Sequence, residues 1–86
     1  MKVIKHDYTG QHTNEVINMY VDYNVYKFRT ENGYSLQKLS DLSGVSTSHI
    51  NDIENNKTHP TVLTLCKLAA PLQVDSRLLY TVHDNV

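Results

Sequence analysis

The chain has 86 residues, of which 40% are hydrophobic and 20% charged, and this is ordinary for one globular domain with a single small core. Eight lysines and arginines against nine aspartates and glutamates give a net charge of −1, so the strongly basic balance of many nucleic-acid-binding proteins is missing. No apolar run approaches the ~18 residues of a membrane span and no signal-peptide core is visible, so we expect a cytoplasmic protein. Cys66 is the only cysteine, which excludes an internal disulfide.

The N-terminal third predicts an arm followed by a long helix. Residues 1–12 show no hydrophobic period and are interpreted as the arm. From Thr13 the apolar residues recur at helical spacing through Phe28, which predicts a helix of up to five turns that ends at Asn32-Gly33. Tyrosines at helical spacing on this helix favour core or dimer packing over base stacking. These tyrosines are Tyr20, Tyr23 and Tyr26.

Residues 36–54 predict two short helices joined by a tight turn. Ser35 precedes a leucine repeat and is placed to cap the first helix. Gly44 stands where the chain must reverse, because a residue without Cβ adopts the left-handed conformation at little cost. Ser46 is placed to cap the second helix, which leaves a hydrogen-bonding face toward solvent. The buried stripe of this second helix is Ile50 and Ile53.

The C-terminal third predicts two more helices. A fourth helix is expected from Val62, with Cys66 buried in it and regular structure ending or tightening near Ala70, because Pro71 removes an N–H group. A last short helix, capped by Asp75 or Ser76, is expected to carry Leu78, Leu79 and Tyr80. Residues 81–86 then read as a loose tail.

No strand-like alternation competes with these helices, so the predicted fold class is all-α. The predicted divisions are an N-terminal arm at 1–12, a helix-turn-helix domain at 13–82 with its motif at 36–54, and a C-terminal tail at 83–86.

A set of residues between 26 and 82 carries a family resemblance. The set is Arg29, Gly33, Ser35, Leu39, Gly44-Val45-Ser46, Ile50, Ile53-Glu54, Lys57, Pro60, Leu65 and Leu72. Together they resemble the Cro- and lambda-repressor-like helix-turn-helix family, of the xenobiotic-response-element type, over about two thirds of the chain. The resemblance implies a five-helix lambda-repressor-like DNA-binding domain with an N-terminal extension. It also implies a structural ion pair between Arg29 and Glu54.

The same resemblance implies which residues meet DNA. The second helix of the motif would lie in the major groove, with its exposed residues at base edges and the following loop at phosphates. The implied base contacts are Thr47, Ser48, Asn51 and Asp52. The implied phosphate contacts are Gln37, His49, Asn55, Asn56, Lys57 and Thr58. Hydroxyls serve donor or acceptor edges, an amide binds adenine in a bidentate manner and a carboxylate accepts from cytosine N4, so this residue set suits base readout.

Charge bears on how such a protein would bind DNA. Residues 36–60 carry two lysines against three acidic residues, a balance of −1, so a lone protomer should bind weakly. A homodimer doubles the phosphate contacts and sets two reading helices about 34 Å apart. The sequence therefore favours a sequence-specific DNA-binding transcriptional regulator of bacterial, phage or mobile-element origin. We expect a repressor that binds a palindromic operator as a homodimer.

Other interpretations of the sequence compete with this one. The rival function is a protein-interaction module, anti-repressor or antitoxin-like, that uses the fold to bind another protein through its N-terminal helix or arm. Leu36, which stands where the family usually has a phosphate-binding glutamine, supports this rival. Lys2 and Lys5 could reach the minor groove, although a disordered tail is the simpler interpretation of the arm. His49 and His59 lack metal-ligand spacing, so no metal, other cofactor or enzymatic activity is predicted.

Overall fold

The computed structural model describes residues 19–84, which form four α-helices, one 3₁₀ helix and a two-stranded sheet. The elements in chain order are β1 (Met19–Tyr23), α1 (Val25–Glu31), α2 (Leu36–Ser43), α3 (Thr47–Glu54), α4 (Val62–Leu72), the 3₁₀ helix (Ser76–Leu79) and β2 (Tyr80–Asp84). None of the helices in this part of the chain is long and apolar enough to cross a membrane.

The helix-turn-helix predicted over residues 36–54 is confirmed as α2 and α3. The Ser35 hydroxyl accepts a hydrogen bond from the backbone N–H of Lys38 at 3.0 Å, and the Ser46 hydroxyl accepts one from that of His49 at 3.2 Å. Each serine thereby satisfies one of the N–H groups that a helix start leaves without a partner. Gly44 has a φ of 76°, the left-handed conformation that the turn requires.

One hydrophobic core lies between the helices and beneath the sheet. Its buried residues come from every helix and from the turn between α2 and α3. They are Val25, Leu39, Val45, Ile50, Ile53, Leu65, Leu68, Ala69, Leu72 and Leu79. Because α2, α3 and α4 all contribute fully buried side chains, the core fixes α3 against the rest of the domain and leaves its opposite face open.

The prediction of one long first helix is wrong for the part of that helix that the structure describes. Residues 19–23 form strand β1, and α1 covers only Val25–Glu31. β1 pairs antiparallel with β2, from Met19 opposite Asp84 to Tyr23 opposite Tyr80. A stretch of only five residues fits both the helical and the strand period, and the pairing with a strand at the other end of the domain decided the outcome. The arm at 1–12 and the first turns of the predicted helix at 13–18 lie outside the described residues.

The all-α class and the five-helix count are wrong for the same reason. The predicted last short helix is present as the 3₁₀ helix Ser76–Leu79 with Asp75 at its N-cap, but Tyr80 already belongs to β2, which follows directly. Much of the predicted tail is ordered as β2, which runs past the boundary drawn at 82, while residues 85–86 lie outside the described residues.

Smaller predictions differ in outcome. Pro71 lies in the last turn of α4, where its missing N–H affects only the helix end, so the helix continues through Leu72. The predicted burial of Cys66 is wrong, since this residue is exposed on α4. Core packing is wrong for Tyr20 and Tyr26, which are exposed, while Tyr23 is partly buried against the core; the alternative of dimer packing stays a prediction.

Candidate nucleic-acid interface

Helix α3 has one buried face and one open face. Ile50 and Ile53 are fully buried in the core and hold the helix in place. The four predicted base contacts lie on the other side, since positions i, i+1, i+4 and i+5 share one side of a helix. Ser48 and Asn51 are exposed, and Thr47 and Asp52 are half-buried. This side of α3 is therefore a short hydrogen-bonding surface of two hydroxyls, an amide and a carboxylate.

The amide of Asn51 takes part in a local hydrogen bond. Its Oδ1 accepts from the Nδ2 group of Asn55 at 3.2 Å, and the same Nδ2 group donates to the backbone oxygen of Asn51 at 2.8 Å. An amide oxygen carries two lone pairs, so Oδ1 of Asn51 keeps one acceptor position beside its bond to Asn55. A bidentate contact with adenine uses both amide atoms and is compatible with that bond.

Helix α3 ends in a Schellman motif, which shapes the loop that follows. The N–H of Lys57 donates to the carbonyl of Asp52 at 2.8 Å, and the N–H of Asn56 donates to that of Ile53 at 3.1 Å. Asn56 adopts the left-handed conformation with a φ of 56°, where glycine is usual and asparagine is tolerated. The motif sets the direction in which Lys57 and the next residues leave the helix.

An ion pair joins the end of α3 to α1. The Nε group of Arg29 donates to Oε2 of Glu54 at 2.6 Å, and its Nη2 group donates to Oε1 at 2.9 Å. The third nitrogen donates to the backbone oxygen of Tyr34 at 2.9 Å, and the hydrogen bond to Glu54 is the main cause that raises the pKa of Arg29. The two side chains are only 11% and 6% exposed, so this pair supports the position of α3 and is not available to DNA.

The predicted phosphate contacts differ in their exposure and in their hydrogen bonds within the domain. Lys57 is exposed in the loop after α3, where a cation could reach a phosphate, and His49 and Thr58 are half-buried. The Nε2 group of Gln37 donates to Oδ1 of Asp41 on the same helix at 2.8 Å, which places a carboxylate beside this candidate. Asn55 is exposed but bonded to Asn51, as described above.

Asn56 is held by strand β1. Its Oδ1 accepts from the N–H of Tyr23 at 3.2 Å, and its Nδ2 group donates to Oδ1 of Asp22 at 3.3 Å. The hydroxyl of Tyr23 also forms a hydrogen bond with Nδ1 of His59 at 2.9 Å, and burial raises the pKa of this tyrosine. The loop after α3 is therefore fastened to the sheet.

This connection was not predicted from the sequence, because the sequence pattern favoured a helix where β1 lies. On the far side of Asp22, its Oδ2 lies 3.0 Å from Nε2 of His83 on β2, and the ring of His83 stacks on that of Tyr20 at 4.6 Å. The alternation of Met19, Val21 and Tyr23 was the one available signal.

The charges around α3 are balanced once the ion pair is taken into account. Arg29 neutralises Glu54 from outside the motif. The remaining charges between residues 36 and 60 are Lys38 and Lys57 against Asp41 and Asp52, two against two. Within residues 19–84, no group of three or more histidine, cysteine or acidic side chains is arranged to hold a metal ion. What this surface offers is hydrogen bonding, with Lys57 as an exposed cation in the loop after α3.

Comparison with known proteins agrees with this geometry. A family model described as helix-turn-helix matches residues 25–79. The chain is 42% identical over 48 residues to the HTH-type transcriptional regulator SutR of Escherichia coli K12, covering 56% of this chain and 27% of that protein. It thus spans about a quarter of the length of this relative.

Solved structures with the same fold include two bacterial regulators. The restriction-modification controller protein C.AhdI from Aeromonas hydrophila matches with a TM-score of 0.61 and 27% identity, over 64% of this chain and 83% of that one. The N-terminal DNA-binding domain of SinR from Bacillus subtilis matches with a TM-score of 0.60 and 34% identity, over 63% and 80%. A SinR structure in complex with DNA matches with a TM-score of 0.60 and 36% identity, over 63% and 87%. With more than half of the chain matched by the family model, this protein belongs to the Cro/C1-type, xenobiotic-response-element-like helix-turn-helix family.

Proposed function

We propose that this protein is a DNA-binding transcriptional regulator that represses transcription by binding a palindromic operator as a homodimer. The observation that carries the proposal is the open face of α3, which presents hydroxyl, amide and carboxylate groups while its other face is fixed in the core. A rigid helix with such a face fits the major groove, where base pairs differ in their donor and acceptor groups.

We assign base contacts to the open face of α3 and phosphate contacts to its flanks. Ser48 and Asn51 are the foremost base contacts, because they are the two exposed members of the predicted set. Lys57 is the foremost phosphate contact, since it is an exposed cation whose backbone is held by the Schellman motif. The remaining assignments are Thr47 and Asp52 to bases, and Gln37, His49, Asn55, Asn56 and Thr58 to phosphates.

Charge and geometry support the proposal of a dimer and of a repressor role. A surface with two cations against two anions binds phosphates weakly, and a second copy doubles the number of favourable contacts. A two-fold dimer reads a two-fold symmetric site. A small domain that occupies its operator blocks other proteins from that DNA, and the relatives include a transcriptional regulator and SinR.

Two substitutions test this assignment. Lys57→Ala should weaken binding to every DNA sequence and reduce the salt dependence of the binding constant by about one ion per protomer, because a phosphate contact releases one counterion. Asn51→Ala should leave the salt slope unchanged and relax sequence preference, at a cost of about 1–3 kcal/mol on the preferred site. Fluorescence anisotropy on one preferred and one scrambled duplex, at several salt concentrations, measures both effects. Lys67→Ala, which removes an exposed lysine from α4, is the matched control.

A protein-interaction module is the second candidate. Two observations favour it: Gln37 is bonded to Asp41, and Asn56 is bonded to β1, so two candidate phosphate contacts are already used within the domain. A SinR–SinI complex among the similar structures shows that a related chain takes a protein partner. If Lys57→Ala and Asn51→Ala both leave DNA binding unaltered, this second function is supported and the first is contradicted.

A further inference from the structure

The sheet presents a polar face, and a carboxylate on this face contacts the loop after α3. Directly opposed residues of an antiparallel pair share a face, and so do alternate residues of one strand. The residues of the polar face are Tyr20, Asp22, Thr81 and His83. Oδ1 of Asp22 accepts the hydrogen bond from Nδ2 of Asn56 at 3.3 Å. The sheet therefore meets the candidate DNA interface through the side chain of Asp22.

Both carboxylate oxygens of Asp22 have a partner, which fixes the side chain. While Oδ1 faces the loop, Oδ2 lies 3.0 Å from Nε2 of His83 on β2. The ring of His83 is itself stacked on that of Tyr20, with ring centres 4.6 Å apart and planes inclined by 14°. The orientation of Asp22 toward the loop thus depends on contacts that span both strands.

Asn56 is the residue at which the chain turns away from α3. It has the left-handed φ of 56° within the Schellman motif, and Lys57 follows it immediately. Both polar atoms of its side chain are bonded to β1, since Oδ1 accepts from the N–H of Tyr23 at 3.2 Å and Nδ2 donates to Asp22. The strand thus holds the turn that sets the direction of Lys57, the foremost phosphate contact of the proposed function.

The sheet that holds this turn lies outside the segment that makes the chain a family member. The family model covers residues 25–79, whereas the strands cover Met19–Tyr23 and Tyr80–Asp84. By its charge alone, a carboxylate beside a phosphate-binding loop weakens DNA binding. By its position, the same carboxylate favours binding if it holds the loop in the required conformation. Charge and position therefore predict opposite effects of removing Asp22.

We propose that Asp22 is a positioning residue for DNA binding, which acts through Asn56 to hold the loop that carries Lys57. The inference rests on the proposed function for the assignment of this loop to phosphates. It extends the DNA-binding unit to a sheet beyond the family segment. Asp22 acts without touching DNA: a loop that is already held loses less conformational entropy when Lys57 meets a phosphate.

Three variants of the full chain separate position from charge. Asp22→Ala removes both the charge and the acceptor for Asn56, whereas Asp22→Asn removes the charge but keeps a side-chain oxygen as acceptor. Thr81→Ala is the matched control, because its hydroxyl lies on the same face but accepts from Nδ2 of Asn24 at 3.2 Å. Fluorescence anisotropy on the preferred and the scrambled duplex measures binding, and thermal melts verify that each variant folds.

Asp22→Ala should weaken binding to both duplexes about threefold or more, within the range by which residues that do not touch a ligand change its affinity. Asp22→Asn and Thr81→Ala should bind at least as tightly as the wild type. In a Lys57→Ala background, Asp22→Ala should cause no further loss, because the side chain whose position it controls is then absent.

Three results overturn the proposal. Equal or tighter binding by Asp22→Ala shows that only the charge of this residue matters. An equal loss in Thr81→Ala, or an undiminished loss in the Lys57→Ala background, shows that a weakened sheet is the cause. Each of these results leaves the proposed function standing, since the wild type still binds DNA. A wild-type chain that binds neither duplex refutes both.

Discussion

The ion pair between α1 and α3 should contribute strongly to the stability of the domain. In Glu54→Gln the side-chain volume is kept, but the charge that faces Arg29 is lost and one of the two hydrogen bonds at 2.6 and 2.9 Å meets an amide NH₂ group. With both side chains nearly buried, removing one partner leaves a guanidinium that solvent barely reaches. We expect a loss of about 3 kcal/mol in the free energy of unfolding, the low end for breaking a buried pair.

This loss is large for a domain of this size. Stabilities of ~0.05–0.15 kcal/mol per residue give roughly 4–13 kcal/mol for 86 residues. At about 4–8 °C per kcal/mol, the melting temperature should fall by roughly 12–24 °C. Thermal and urea denaturation followed by circular dichroism measure the effect. Asp41→Asn, which removes an exposed carboxylate from α2, should change the stability by less than about 0.5 kcal/mol.

The double variant Arg29→Met, Glu54→Leu separates the ion pair from simple packing. Replacing both charges by apolar side chains removes the uncompensated charge, so much of the lost stability should return. The reasoning is refuted if Glu54→Gln costs less than about 1 kcal/mol, or if the double variant is less stable than Glu54→Gln.

Two further predictions concern the sheet and the 3₁₀ helix. Asn56→Gly keeps the left-handed backbone but removes the side-chain bonds to Asp22 and Tyr23, so the amide of Tyr23 should exchange its hydrogen faster while the melting temperature changes little; unchanged exchange contradicts the fastening of the loop to β1. The side chain of Arg77, followed by its backbone N–H, lowers the pKa of Asp75 from 3.8 to about 2. A carboxyl whose pKa is lower in the folded state than in the unfolded state stabilises the folded state at any pH above the unfolded pKa. This contribution disappears as the pH falls from about 3.8 toward 2. Asp75→Asn should therefore lose less stability than the wild type over that interval in melts at several pH values, and identical acid limbs would contradict this account.

The helix-turn-helix could be predicted from the sequence because its signals are local. Ser35 and Ser46 cap helices whose first turns follow immediately, and Gly44 meets a left-handed turn within the same stretch. Leu36 and Leu39 in α2, and Ile50 and Ile53 in α3, recur at the helical period and pack in or against the core. Caps, turn and period all agree within 20 residues, so no distant contact was needed to choose the structure.

The sheet could not be predicted in the same way because its cause is not local. Met19 and Tyr20 fit a helical stripe as well as a strand, and what selects the strand is the pairing with residues 80–84 at the other end of the domain. Because strand β1 was not predicted, one feature of the candidate site was not predicted either. Asn56 was predicted to contact a phosphate, but its side chain bonds to a strand that the sequence pattern did not reveal.

Selection of DNA from a random pool by the full chain tests the central claim most directly. The open face of α3 should enrich one sequence, and the enriched sequence should consist of two inverted half-sites whose centres lie about 10 base pairs apart. Asn51→Ala should broaden the preference within each half-site without changing their spacing. A pool that remains random after repeated rounds at low salt would contradict the claim that this face reads DNA.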